Sequence, residues 1–221
     1  MLFSREDVAS FVSRNFEPAW EMVRPVPIVR IDFGNGTTAT RTLHGNVASY
    51  VCDAAGHVID ILPGIYTPTA YTSALEQPRA LAETLSAMEA QPCLTRLREY
   101  HRAAAQRLLV PAAQPRPGNG LMPLDPGKKT IERPVELFAV RPAASNRRPR
   151  TAAELANWQP LVADTQLNET QRRWQIHERF ALAERQRPEQ IKPWLYRDVL
   201  HADLADPYLG LGDDFFADIE R

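Results

Sequence analysis

The sequence predicts an α/β N-terminal part followed by a mostly helical C-terminal region. Between Val26 and Leu62 the apolar residues recur mostly at every second position, which is the period of β-strands. From Pro78 onward they recur at helical spacing. Nine of the nineteen prolines lie between Pro111 and Pro160. Regular structure must be short there, because proline fixes φ and lacks an N–H donor.

The composition is that of an ordinary globular protein, with 221 residues, 44% apolar and 24% charged. A formal charge of −1 gives no overall attraction to nucleic acid or to an anionic membrane, so neither is expected as a partner. No run approaches the roughly 18 apolar residues of a membrane span, and the first residues do not have the pattern of a signal peptide. Two cysteines form no disulfide framework or zinc motif, so we expect a cytoplasmic protein.

The first predicted element is a helix near the N-terminus. Ser4 is placed to cap it, and Asp7 is placed to favour its first turn. Val8 and Phe11 belong to one apolar stripe, and the helix is expected to end near Asn15.

A hairpin is predicted next. Val26–Phe33 alternates as a strand, and residues 34–36 (Gly-Asn-Gly) supply the positive φ values of a tight turn. Thr37–Leu43 should therefore return antiparallel to the first strand.

A second hairpin follows, with strands at Val47–Cys52 and Val58–Leu62 joined by the turn Asp53–Gly56. The second strand is almost continuously apolar, which is typical of a strand covered on both faces. Simple alternation places Ile59 and Ile61 on one face of this strand. It places Val58 and Leu62 on the other face.

Helices should account for most of the remainder. Pro68 fits the first turn of a short helix that ends near Leu75, and a new helix is expected from Pro78. A lone strand is expected at Ile131–Val140. The other predicted helices start after Pro92 and at about 151–158, 167–185 and 188–200. We therefore divide the chain into an α/β part, a helical extension, a Pro/Gly-rich connector and a mostly helical C-terminal part, at residues 1–76, 77–110, 111–129 and 130–221.

Two motifs resemble the thioredoxin-like superfamily. Asp53-x-x-Gly56-x-Val58-x-x-x-x-x-Gly64 looks like its last hairpin, where an Asp-x-x-Gly turn joins two core strands and a glycine ends the second. Phe3-Ser4-x-x-x-Val8-x-x-Phe11-Val12-x-x-Asn15-Phe16 is similar to the segment after the redox helix of its bacterial branch. The resemblance implies an incomplete thioredoxin-like domain, elaborated by the hairpin around residues 34–36.

The redox residues of that superfamily have no counterpart here. Its Cys-x-x-Cys pair would fall before Met1, and the position of its cis-proline falls near Val47. The resemblance therefore assigns thiol chemistry to no residue of this chain.

Cys52 is a candidate for catalysis by a thiol. Its sequence neighbour Asp53 would raise the thiol pKa, which favours an inert structural cysteine instead.

Glu169, Arg173 and His177 recur at four-residue steps and share one helix face. His177 is a candidate catalytic residue there. The alternative is a half-buried core histidine beside an ordinary ion pair between the other two residues.

The segment His201-Ala-Asp203-Leu-Ala-Asp206 places an imidazole and two carboxylates close together after a helix. His201, Asp203 and Asp206 are candidate ligands of a divalent metal, and the first two are also candidate catalytic residues. The alternative is that His201 and Asp203 cap the helix and that the acids which follow are solvated.

The leading functional hypothesis is a non-redox, thioredoxin-like binding or assembly protein. Its partner would be another protein chain or a second copy, and no cofactor is predicted. One alternative is an enzyme that uses His177 or His201 with nearby acids, with or without a divalent metal. Another is a truncated thiol–disulfide redox protein whose Cys-x-x-Cys lies upstream of Met1.

Overall fold

The computed structural model describes residues 2–25, 28–32, 34, 36, 38–42, 47–108 and 161–206. The predicted connector at 111–129, the strand at 131–140 and the helix at 151–158 lie outside the described residues. Within them the fold is mixed α/β, as the sequence predicts.

Five helices and four strands make up the described chain. They are α1 Glu6–Asn15, β1 Ile28–Asp32, β2 Thr38–Thr42, β3 Ala48–Cys52, β4 Val58–Pro63, α2 Pro68–Leu85, α3 Ala90–Leu108, α4 at residues 161–180 and α5 at residues 188–199. Helix α4 contains a π-helical turn at Asn168–Arg172 before its last stretch, Arg173–Phe180. Helix α5 ends in a second π-helical turn, Leu195–Val199.

The start of α1 differs from the prediction. The cap position is Arg5, not Ser4, and the side chain of Arg5 makes no capping hydrogen bond, whereas Oδ1 of Asp7 accepts the N–H of Val8 at 3.0 Å. Instead the guanidinium of Arg5 pairs with Asp7 at 2.9 Å. The acidic residues of the first turn therefore supply the favourable charge, as Asp7 was expected to do.

The two predicted hairpins both form, but as separate sheets. Strands β1 and β2 pair antiparallel from Ile28 opposite Thr42 to Asp32 opposite Thr38. Gly34 and Gly36 have the positive φ values that the turn requires. Among the described residues this pair has no hydrogen-bonded neighbour strand.

The β3–β4 hairpin contains a bulge. Val51 lies opposite Asp60, whereas the next residue, Cys52, lies opposite Val58. Ile59 is therefore the extra residue in β4, and a bulge of this kind rotates the side chains that precede it.

Because of the bulge, the side chains of β4 face different layers from those predicted. Ile59 packs with Leu62 among residues of α1, α2 and α3, whereas Val58 and Ile61 pack among residues of α4 and α5. Simple alternation had paired Ile59 with Ile61, because the sequence alone does not show the inserted residue.

Helix α2 does not end near Leu75 but continues through Pro78 to Leu85. A proline inside a helix removes one backbone hydrogen bond. Pro78 is buried, as are Leu75 and Leu81 on either side of it, so apolar burial offsets that loss. The predicted boundary between the α/β part and the helical extension, at residues 76 and 77, therefore lies inside α2.

The β3–β4 hairpin separates two apolar layers. The first contains Val8 of α1 and the buried face of α2 and α3, and the second contains the buried faces of α4 and α5. Strand β4 is buried along its whole length, which agrees with the prediction of a strand covered on both faces. None of the helices described is both long and apolar enough to cross a membrane.

Candidate functional site

Five polar side chains meet in the interior, where β4, α3 and α4 come together. We call them the Asp60 cluster: Asp60 from β4, Tyr100 and His101 from α3, and Arg173 and His177 from α4. Asp60 and His101 are fully buried, and the two residues of α4 are nearly so. Buried polar groups are costly unless they are paired, so the partners of each group decide what the cluster can do.

Close packing at the end of β4 positions helix α4. Gly64 has φ +75°, and a Cβ atom there would lie 2.8 Å from the side chain of Asn168. Asn168 is fully buried and donates through Nδ2 to the carbonyl of Ile65 at 2.8 Å. This contact fixes the start of the π-helical turn of α4, which begins at Asn168 and ends directly before Arg173.

The carboxylate of Asp60 is held by three donors. Oδ2 accepts hydrogen bonds from Nη2 of Arg173 and from the hydroxyl of Tyr100, both at 2.7 Å. Oδ1 accepts the backbone N–H of Ile61 at 2.8 Å. Burial opposes the charge of Asp60, but the guanidinium and the hydrogen bonds outweigh it and lower its pKa to about 2.

The two histidines are joined ring to ring. Nδ1 of His101 lies 2.8 Å from Nδ1 of His177, and Nε2 of His101 lies 3.0 Å from the carbonyl of Ile59. A carbonyl only accepts, so Nε2 of His101 carries a proton. In the neutral ring Nδ1 of His101 then accepts the bond that His177 donates.

Burial keeps both rings neutral at neutral pH. It lowers the pKa of His101 to about 4 and that of His177 to about 3, although the charge of Asp60 acts in the opposite direction. The cluster therefore holds one carboxylate, one guanidinium and two uncharged imidazoles.

We expect the protein to lose stability below about pH 6.5, the ordinary pKa of histidine in an unfolded chain. Between this pH and about 4, the unfolded chain binds protons at positions 101 and 177 that the folded chain excludes. Unfolding near pH 5 should then take up about two protons, a slope of about 3 kcal/mol per pH unit. Urea unfolding measured from pH 5 to pH 8 checks this slope.

A His177→Gln variant is the control for that measurement, because the amide retains a donor without titrating. It should take up about one proton fewer on unfolding. Asp60 adds its own loss only below about pH 4, because its pKa is lowered rather than raised. A free energy of unfolding that is flat between pH 5 and pH 7 would contradict the assignment of two neutral buried histidines.

The structure places the predicted residues of α4 at this site. Arg173 and Glu169 form the expected ion pair at 3.5 Å, but the closer partner of Arg173 is Asp60. His177 is 2% exposed, so it is more deeply buried than the half-buried core histidine that was the alternative prediction. Sequence reasoning did not single out Asp60, although a lone carboxylate inside an apolar strand is a usable signal.

The C-terminal candidates lie elsewhere, on the partly exposed segment that follows α5. His201 has φ +53° and is the left-handed residue that ends this helix, as Ala202 bonds back to the carbonyl of Tyr196. The carboxylate of Asp203 accepts the N–H of Ala205. Among the described residues, the donor atoms that cluster within 4.8 Å belong to Asp60, His101 and His177. The metal site at residues 201–206 stays a prediction.

Cys52 and Cys93 both line a cleft of about 410 Å³ between the β3–β4 turn and the loop from α2 to α3. An ion pair of Asp53 and Arg185 lies beside it. Burial raises the pKa of both thiols, so neither is a thiolate at neutral pH. The structure thus gives Cys52 no activating partner among the described residues.

Comparison of the chain with protein-family models, with curated proteins and with solved structures found no match.

Proposed function

We propose that the chain is a non-redox, thioredoxin-like binding or assembly protein whose partner is another protein chain. A central hairpin with the Asp53–Gly56 turn, a glycine after its second strand and helices on both faces supports the thioredoxin-like part of this proposal. The raised thiol pKa of Cys52 and of Cys93 supports its non-redox part.

The observation that carries the binding function is an exposed apolar pair on the segment between α1 and β1. The side chain of Trp20 is 88% exposed and that of Met22 is 73% exposed. Large aromatic side chains and methionine are enriched at protein interfaces relative to the rest of the surface. Trp is also over-represented among the residues that dominate binding energy.

This segment is attached to the rest of the protein on both sides of Met22. Glu21 pairs with Lys192 of α5 at 2.7 Å, and the guanidinium of Arg24 donates to the carbonyl of Leu204 at 2.9 Å. Val23 packs against the apolar layer of α5. The exposed pair is therefore displayed from an anchored backbone, which reduces the entropy lost when a partner binds.

A photo-cross-linking experiment in the cells that make the protein tests this function. The photoreactive residue p-benzoylphenylalanine replaces Trp20, and in a matched control it replaces Leu182, which is 77% exposed on the turn after α4. We expect a discrete cross-linked species from position 20 that position 182 does not give. A product of twice the mass of the chain would identify the partner as a second copy.

Equal cross-linking from both positions, or none from position 20, would contradict the proposed surface. Both replaced side chains are largely solvent-exposed, so neither change is expected to move the unfolding midpoint appreciably. A thermal melt of each variant checks that the fold is intact.

A further inference from the structure

We propose that Asp60, His101 and His177 bind one divalent transition-metal ion in the interior of the protein. One nitrogen of each ring and one oxygen of the carboxylate lie within 4.8 Å of one another. Two imidazoles and one carboxylate form a ligand set that suits zinc, iron(II) or cobalt(II). The three residues come from β4, α3 and α4, so the site exists only in the folded chain.

The ring of His101 is already arranged as a metal ligand. Its Nε2–H donates to the carbonyl of Ile59, which leaves the lone pair of Nδ1 directed at the ring of His177. Histidines that bind metals usually donate their second ring N–H to a carbonyl or a carboxylate in this way. The bond therefore both orients the ring and selects the tautomer that can bind.

The spacing of the two rings fits a shared ion. With metal–nitrogen bonds of about 2.0–2.1 Å, nitrogens 2.8 Å apart subtend an angle slightly below 90° at the ion. A tetrahedral ion needs them about 3.3 Å apart, which a small separation of the rings supplies. The ion would take the place of the proton on Nδ1 of His177. His177 would then be the tautomer that is protonated on Nε2.

Asp60 can supply the third ligand through Oδ1. Its Oδ2 is occupied by Arg173 and Tyr100, whereas Oδ1 has a single donor, the N–H of Ile61. Oδ1 lies 4.0 Å from Nδ1 of His177, so a movement of about 0.7 Å brings the two atoms to the spacing of two ligands on a tetrahedral ion. Its second lone pair is thus within reach of an ion held by the rings.

The charged groups around the rings nearly balance, and Asp60 is the one placed to bind a cation. The carboxylates of Asp60 and Glu169 surround the guanidinium of Arg173, which lies 2.7 Å from the first and 3.5 Å from the second. The charge of Arg107 also acts on His177, so two carboxylates and two guanidiniums leave no net charge around the rings. The attraction for a cation therefore comes from the carboxylate of Asp60 itself, which would bind the ion directly. The hydrogen bonds to Oδ2 hold the carboxylate in place, as is typical of the groups around metal ligands.

Cobalt(II) alone is the probe for the first experiment. The full chain is stripped with a chelator in urea and refolded with increasing Co²⁺, because ligands this deeply buried are accessible only before folding is complete. We expect one Co²⁺ per chain and a visible absorption band of nitrogen-ligated cobalt. His101→Gln and His177→Gln should each weaken binding at least 100-fold, and His201→Gln should leave it unchanged.

Absence of stoichiometric binding would overturn the proposal. So would binding that both cluster variants retain, or binding that His201→Gln abolishes, since the latter would assign the metal to residues 201–206. If the cluster variants fail to fold, X-ray absorption of the zinc-loaded native sequence decides. Scattering from two imidazole rings supports the site, and a shell without imidazole overturns it.

Discussion

Replacing Asp60 with alanine is expected to lower the free energy of unfolding by about 3–5 kcal/mol. The change removes the charge that pairs with the buried guanidinium of Arg173 at 2.7 Å. It also leaves the hydroxyl of Tyr100 without the acceptor it now has at 2.7 Å. A buried charge and a buried hydroxyl without partners both cost free energy, and the side chain of Arg173 is only 9% exposed to water. Urea unfolding followed by circular dichroism measures the loss.

The double variant Asp60→Ala with Arg173→Met shows how much of the loss comes from leaving the buried guanidinium of Arg173 without a partner, and how much from losing the ion pair itself. Replacing both members of a buried ion pair with apolar groups is often nearly neutral, so the double variant should recover most of the loss. Asp60→Asn should fall between the two, because the amide keeps an acceptor for Tyr100 but has no charge for Arg173. A double variant as unstable as Asp60→Ala would show that the stability depends on the carboxylate alone and not on the pair.

The β3–β4 hairpin could be predicted because its signals are local. An apolar run, an Asp-x-x-Gly turn and a second apolar run specify two antiparallel strands without reference to the rest of the chain. The structure has the turn as expected, with Gly56 at positive φ and its N–H bonded to the carbonyl of Asp53. The same is true of the first hairpin and its two glycines.

The Asp60 cluster could not be predicted because its contacts are distant in sequence. Arg173 is 113 residues from Asp60, and the two histidines are 76 residues apart. Arg173 and the two histidines each have an adequate local explanation, such as an ion pair one helical turn away or a place on an apolar stripe. Only the packing of α3 against α4, and of both against β4, brings them together.

Local rules also failed at two places, and the structure shows packing as the cause at the second of them. Ser4 is a good capping residue, yet α1 begins one residue later, with Arg5 at the cap position. Pro78 is a strong breaker in isolation, yet α2 continues through it because its ring and the neighbouring apolar residues are buried. Propensity is a weak prior when a helix face can be buried on both sides of the unfavourable residue.

Ile61→Ala is expected to destabilise the protein by about 2–5 kcal/mol. Ile61 is fully buried on the face of β4 that packs against α4 and α5, in a cluster with Ile176 and Leu195. Removing three carbon atoms there loses apolar burial and leaves a cavity. The closely packed helices α4 and α5 cannot easily move to fill it. Chemical denaturation gives the difference directly, provided that the dependence on denaturant stays the same.

Leu182→Ala is the matched control, since it removes as many carbon atoms from a side chain that is 77% exposed. Its effect should stay within about 0.5 kcal/mol. Ile59→Ala tests the opposite face, because the bulge turns Ile59 toward α1, α2 and α3. If β4 is a central strand covered on both sides, both isoleucine variants must be destabilised by amounts far above the control. An unchanged midpoint for Ile61→Ala would place this strand at an edge and would contradict the burial on which the Asp60 cluster depends.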